Sequence, residues 1–340
     1  MKLTYTHESD FRRERDFGAK ISATFEFIGA HFRPLLKCLT YFVLPPTLLF
    51  GIGIGVIFGS FGTIARMQQG QRTNAEFESL GITYFSSTGL VFLGATLSFL
   101  LMLGTVYGYV RVRMNTPATE PVLPGQVWAY MRARLGRIIL SWLLFSALGV
   151  GVFAGVALLM FGTVGSLSGL GRSPDAGSIF SLFMIFMALM FVFTWLGIVL
   201  TQFFPILLLE DASIGTALRR SFYLIRGKWW STFGLVFIAS LIQSCISYVF
   251  FIPLYAIMFV QLLKVPGLDS PVYSVVAGSI YAIGAVFMYA IPLLAVMFQY
   301  FNLVERKEGT GLRQLVDSLG QKTTPEAHNS FYRPDEEGEY

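Results

Sequence analysis

Charge is scarce in this chain. Asp, Glu, Lys and Arg make up 13% of its 340 residues, about half the ~25% of an ordinary soluble domain. Such a chain cannot cover a globular surface with charge, so its 54% hydrophobic residues must meet lipid. Cysteine is nearly absent. Cys38 and Cys245 are far apart and read as small apolar side chains in or beside membrane helices, which leaves no disulfide framework. The histidines are His7, His31 and His328. No spacing gathers them with other ligands into a zinc site, and each reads as solvated or interfacial. No G-x-S-x-G nucleophile elbow occurs. The Gly51, Gly53, Gly55 run lies inside an apolar stretch with no strand before it, so the dinucleotide fingerprint fails. The N-terminus, MKLTYTHESDFRRERDFGAK, has no short apolar core or cleavage site, so the first membrane helix is expected to be retained. These absences leave no candidate catalytic residue, metal ligand or cofactor, and a non-enzymatic protein is expected.

Apolar runs of bilayer-spanning length are present instead, with abundant Phe (33) and Gly (34). Six spans are expected, at about Leu35–Phe58, Tyr84–Val110, Ile138–Val164, Ser178–Leu209, Ser231–Leu263 and Pro271–Val304. Pro45 and Pro46 should kink the first. Pro205, Pro253 and Pro292 interrupt three others. Three shorter helices are amphipathic. Over residues 11–33, Phe17, Ile21, Phe25, Ile28 and Phe32 share a face, and Pro34 ends the segment. Over Gln126–Arg137 the face is Val127, Met131, Leu135 and Ile138. In the third, Ile214, Leu218, Phe222, Ile225 and Trp229 share a face, with Asp211 or Ser213 as N-cap. An apolar face opposite basic residues suits the membrane interface; packing on a soluble partner is the alternative for the first.

The fold class expected is therefore an all-α membrane protein: six transmembrane helices as three hairpins, each preceded by an amphipathic interfacial helix. Residues 1–10 read as a flexible N-terminus. Residues 11–304 form the membrane domain, with units 11–115, 124–209 and 212–304, and 305–340 form a partly disordered cytoplasmic tail. The elbows at Arg33, Arg134 and Lys228 recur about every 100 residues, in pattern more than in identity, so duplication and convergent topology both remain open. With the N-terminus, 111–137, 210–228 and the tail placed inside, those segments carry 21 of the 25 Lys and Arg residues; Arg66, Arg72, Arg172 and Lys264 are left outside. That asymmetry puts both ends in the cytoplasm. It also argues against nucleic acid as the partner of the +5 net charge.

Arg33, Lys37, Arg132, Arg134, Arg137, Arg219, Arg220, Arg226 and Lys228 line the elbows. They are candidate contacts for anionic lipid headgroups or for a membrane-protein partner, beyond their role as topology determinants. The spans hold no ionisable residue away from their ends. Gln202, Gln243 and Tyr289 are the polar groups inside, read as helix-to-helix hydrogen bonds or as part of a substrate pathway. Gly55/Gly59, Gly104/Gly108 and Gly151/Gly155 are expected to permit close helix packing.

FPILLLEDASIGTALRRSFYLIRGKWWSTFGL and, at the last span, YFNLVERKEGTGL resemble bacterial membrane proteins related to the membrane domain of glycerophosphoryl diester phosphodiesterase. RERDFGAKISATFEFIGAHFRPLL is similar to uncharacterised members from the Bacteroidetes group. The resemblance covers roughly residues 11–315 and implies a six-span bundle in a bacterial inner membrane. The chain has no room for the soluble barrel that carries the enzymes' chemistry, so phosphodiesterase activity is not implied. Two functions follow as expectations: a scaffold, accessory or lipid-organising component, or a transporter or lipid-translocating protein with a site near the proline-broken helices.

Overall fold

The computed structural model describes residues 5–6, 8–60, 74–117, 119–169, 176–263, 270–309, 311 and 313. The outer-side cations Arg66, Arg72, Arg172 and Lys264, and the tail beyond 313, lie outside them. Among the described residues every regular element is a helix: α1 Glu8–Phe11, α2 Phe17–Phe42, α3 Leu44–Gly59, α4 Asn74–Asn115, α5 Pro124–Arg132, α6 Leu135–Gly169, α7 Ala176–Leu200, α8 Phe203–Leu209, α9 Ile214–Ile225, α10 Trp229–Leu262, α11 Pro271–Met288 and α12 Ala290–Glu308. Five stretches are long and apolar enough to cross a membrane, or six if the bent pair α2/α3 counts as one span. Multiple helices of this kind are what a multi-pass membrane protein contains.

Proline sets the breaks. Its ring displaces the carbonyl four residues back and leaves it without an N–H partner. Non-helical or loosened backbone accordingly falls three residues before a proline four times. His31 (φ −112°, ψ 16°) precedes Pro34, and Val43 (φ −97°, ψ −32°) precedes Pro46. Gln202 (φ −79°, ψ −11°) precedes Pro205, and Tyr289 (φ −64°, ψ −12°) precedes Pro292. At Val43 the chain turns by 63° between α2 and α3. The expected elbow at Pro34 is only a kink, because α2 continues to Phe42. Pro253 does not break its helix: α10 runs through it from Trp229 to Leu262.

The core lies at one end of the bundle. The last turns of α4 pack with α8 and α12, and Ala290–Val304 of α12 are all buried. The amphipathic helices pack on this trio: α5 on α4, α9 on α8 and also α12, and α2 on α12 and also α4. The α5–α4 and α9–α8 contacts join neighbours in sequence. The α2–α12 contact closes a ring, since the first amphipathic helix of the chain covers its last helix. Its contacts show how it lies. Lys20 reaches Gln299 and Phe27 touches Phe298, so seven residues of α2, about 10 Å at 1.5 Å per residue, advance one residue along α12. Thus α2 crosses α12 steeply.

Glycine brings α3 against both neighbours. A Cβ at Gly51 would sit 2.5 Å from Ser279 Cα, one at Gly55 2.4 Å from Ser274 O, and one at Gly94 2.3 Å from Phe50 N. These are backbone-to-backbone approaches that only glycine permits. Gly104 meets Met131 and Gly108 meets Tyr130 and Val127, so this pair seats α5 on α4. Gly151 and Gly155 have nothing within 4 Å, which corrects the packing expected of them.

The hairpin expectation is met unevenly. α3 packs on α4 and α10 on α11, but α6 packs on α4 and α7 on α9 and α10, with no extended contact between α6 and α7 among the described residues. The apolar windows of the spans that include α6 and α7 are each 11% buried, against 56% for the last span, so these two helices form the periphery. The first amphipathic helix, α2, starts at Phe17, not at residue 11. Before it, Tyr5, in the segment 1–10 expected to be flexible, and Phe11, at the end of α1, pack against Phe27 and Phe298.

Candidate lipid-contact and partner-contact site

The three amphipathic helices use their apolar faces differently. On α2 the buried face is Lys20, Thr24, Phe27, His31, Leu35 and Cys38. Phe17, Phe25 and Phe32 stay outside, at 41%, 41% and 53% exposure. The phenylalanines of the expected apolar face thus point away from the protein, while Ile21 and Ile28 pack partly against it. α9 splits its expected face: Leu218 and Phe222, with Tyr223, are exposed, while Ile225 is buried with Ala217, Ser221 and Leu224, and Ile214 and Trp229 pack partly against the core. α5 does the reverse and buries Val127 and Met131 against α4. Its apolar face is therefore covered by protein, which corrects its reading as an interfacial helix.

The nine elbow cations fall into two sets. Three are tied to the protein's own carboxylates. Arg134 donates to both carboxylate oxygens of Asp211, from Nη2 to Oδ2 (2.7 Å) and from Nε to Oδ1 (3.2 Å), and Arg137 donates to the same Oδ1 at 2.5 Å. These bonds, that from Arg134 first, hold the Asp211 carboxyl below its usual pKa. Asp211 has a left-handed backbone (φ 58°). It does not cap α9; Ser213 does, accepting from the Thr216 N–H. Arg220 bridges Glu210 at 2.6 Å and Glu308 at 2.9 Å, and Tyr300 also donates to Glu210. Burial alone would lower the Arg220 pKa; the bonds to Glu308 and Glu210 outweigh it and leave it raised. These pairs fasten the α5–α6 elbow to the α8–α9 elbow, and α9 to the end of α12.

The other six, Arg33, Lys37, Arg132, Arg219, Arg226 and Lys228, are exposed. Among the described residues none of them has a salt bridge. They are free to meet an external anion.

Two buried cations were missed by counting elbow charges. Lys20 is 2% exposed and donates to Gln299 Oε1 at 2.7 Å; Gln299 in turn donates to Thr232. Arg113 is 2% exposed and holds the carbonyls of Thr116, Pro117 and Glu120, so it folds the proline-rich linker back over the end of α4. Lys20 had a signal: it lies on one helical face with Thr24, Phe27 and His31, about a quarter turn from the Phe17, Phe25 and Phe32 stripe. His31 is buried rather than solvated, with Nδ1 3.1 Å from the Tyr109 hydroxyl.

The polar residues of the spans separate. Gln243 and Tyr289, with Ser98, line one cavity of about 280 Å³ among α3, α4, α10 and α11. Gln202 is not there; it is fully buried and its Oε1 has no hydrogen-bond partner. Among the described residues no three His, Cys, Asp or Glu side chains converge to hold a metal ion.

A search of curated proteins finds no match to the chain, and a search of solved structures finds none. One family model matches residues 36–306, from the second half of α2 to the end of the last helix. That is most of the chain, and the protein belongs to this family, DUF7544, a family of unknown function.

Proposed function

We propose that the protein is a non-enzymatic integral membrane component of a bacterial inner membrane that organises anionic lipid, and through it other membrane components, at its basic elbows. In this reading the chain crosses six times, α2 and α9 lie at the inner interface, and both termini are cytoplasmic. Kinship with the membrane domain of glycerophosphoryl diester phosphodiesterase remains part of the proposal and rests on the elbow motifs. One observation carries the reading. α2 and α9 turn aromatic side chains outward next to unpaired cations: Phe32 beside Arg33, and Phe222 within a turn of Arg219 and Arg226. Aromatic rings at headgroup level with adjacent basic residues are how an interfacial helix holds an anionic leaflet.

The test is lipid retention. Protein purified in mild detergent should keep dioleoyl phosphatidylglycerol in preference to the phosphatidylcholine analogue, and neutralising all six free cations to Gln should remove the preference. A wild-type protein with no such preference would overturn the reading. The topology has its own check in a Cys38→Ser/Cys245→Ser background: an impermeant thiol reagent outside intact cells should label Leu263→Cys and not Gly215→Cys.

The second reading, a transporter or lipid-translocating protein, is favoured by the cavity holding Gln243 and Tyr289 beside the α11–α12 break. If it is right, Gln243→Leu reduces substrate movement in reconstituted vesicles.

A further inference from the structure

The end of α2 and the start of α5 enclose a groove of about 470 Å³, lined by Tyr41, Phe42, Pro124, Gly125 and Trp128. Its walls are mostly apolar and aromatic. Phe42 and Trp128 stack at 5.4 Å with their planes 21° apart, which fixes the floor. Tyr41 is 67% exposed at its edge. Along α2, Arg33, Lys37 and Tyr41 follow one another at four-residue steps, so the two cations continue the same helix face as the tyrosine, one and two turns away. Both are exposed and have no salt bridge among the described residues.

We propose that this groove is a binding site for one anionic phospholipid. The glycerol and upper acyl chain lie over Phe42 and Trp128, and the phosphate meets Lys37 and Arg33. The charge pattern selects this occupant. An uncharged hydrophobe would leave two adjacent cations without a counter-charge, and a free phosphate would leave the aromatic walls uncovered. On α2 the groove lies just before the Pro46-dependent turn at Val43 that carries the chain into α3, where headgroup and hydrocarbon regions meet in the proposed topology. The inference rests on the lipid-organising reading and narrows it to one place.

The experiment uses the full chain in dodecyl maltoside, titrated with dioleoyl phosphatidylglycerol or dioleoyl phosphatidylcholine and followed by native mass spectrometry. At about 1 kcal/mol per basic residue near an anionic surface, Arg33→Gln/Lys37→Gln should weaken the tightest phosphatidylglycerol by about 25-fold. Gly125 has open space where a side chain would go. Gly125→Leu should therefore fill the groove with both cations intact and weaken the same lipid. Arg219→Gln/Lys228→Gln, on other elements, should leave it within about twofold of wild type, additivity holding between distant sites. If wild type prefers phosphatidylglycerol but Arg33→Gln/Lys37→Gln and Gly125→Leu bind it as wild type does, the groove is refuted while the lipid-organising reading stands. If wild type shows no preference, both fail. Displacement of the tightest lipid by millimolar inorganic phosphate would overturn the choice of a phospholipid as occupant.

Discussion

Gly55→Ala adds one methyl group at one of the closest helix-to-helix approaches of the bundle. The new Cβ would lie 2.4 Å from Ser274 O and 2.5 Å from Val275 Cα. Both are backbone atoms of a helix that cannot swing aside as a side chain can. Restoring ordinary contact requires α3 and α11 to separate by about 1 Å, which loosens the neighbouring approaches at Gly51 and Gly278. Overpacking of this kind costs about 1–3 kcal/mol, and the upper end is expected here because no neighbour is flexible. Gly151→Ala is the control. It adds the same methyl where nothing lies within 4 Å, and it should be neutral or gain up to about 1 kcal/mol from helix propensity. The assay is thermal unfolding in detergent, in a Cys245→Ser background. A thiol-reactive fluorophore then reports exposure of Cys38, which is buried in the native fold. Gly55→Ala should melt several degrees below Gly151→Ala. Equal melting temperatures would refute the claim that backbone contact at glycine holds α3 in place.

Three further outcomes follow from the same structure. Gln299→Leu leaves the Lys20 ammonium buried without the amide oxygen that accepts from it and should destabilise more than Lys20→Met, which removes the charge; the double variant should recover part of the loss, since an orphaned buried charge is worse than an apolar replacement of both groups. Asp211→Asn should cost at most about 1 kcal/mol at neutral pH, because Asp211 is half exposed and its ion pairs are screened. The Asp211 carboxyl titrates below its unfolded value, so its contribution is present above about pH 4 and lost as pH falls through the folded value; wild type and Asp211→Asn should converge in acid thermal melts. Pro292→Ala restores an N–H to the first turn of α12 and should let α11 and α12 run straighter across Tyr289, read as a changed spin-label distance between Ser279→Cys and Arg306→Cys in a cysteine-free background.

Much of the architecture was legible because it is local. A span needs only its own apolar length, and a helix break needs only a proline three residues ahead, as at Val43, Gln202 and Tyr289. Even here context intervenes, since Pro253 sits inside a continuous α10. Sites depending on distant partners were not legible. Arg134 and Arg220 look like Arg132 and Arg219 in the sequence, yet the first two are bound to Asp211 and to Glu210 and Glu308. Gly51 and Gly151 each sit in apolar helices rich in glycine, but only the first meets another backbone.

The sequence by itself determined that the chain is helical and membrane-like, where its helices bend, and which side chains carry its positive charge. These follow from hydrophobicity, proline geometry and charge count, all properties of neighbouring residues. The tertiary structure decided that α2 shows Phe17, Phe25 and Phe32 to the outside and hides Phe27 and Lys20, that α6 and α7 stand apart, and that six of nine elbow cations remain free. Each of those depends on which helix packs against which, and in a chain this uniformly apolar many pairings bury similar surface, so close glycine approaches and a few buried polar pairs select among them.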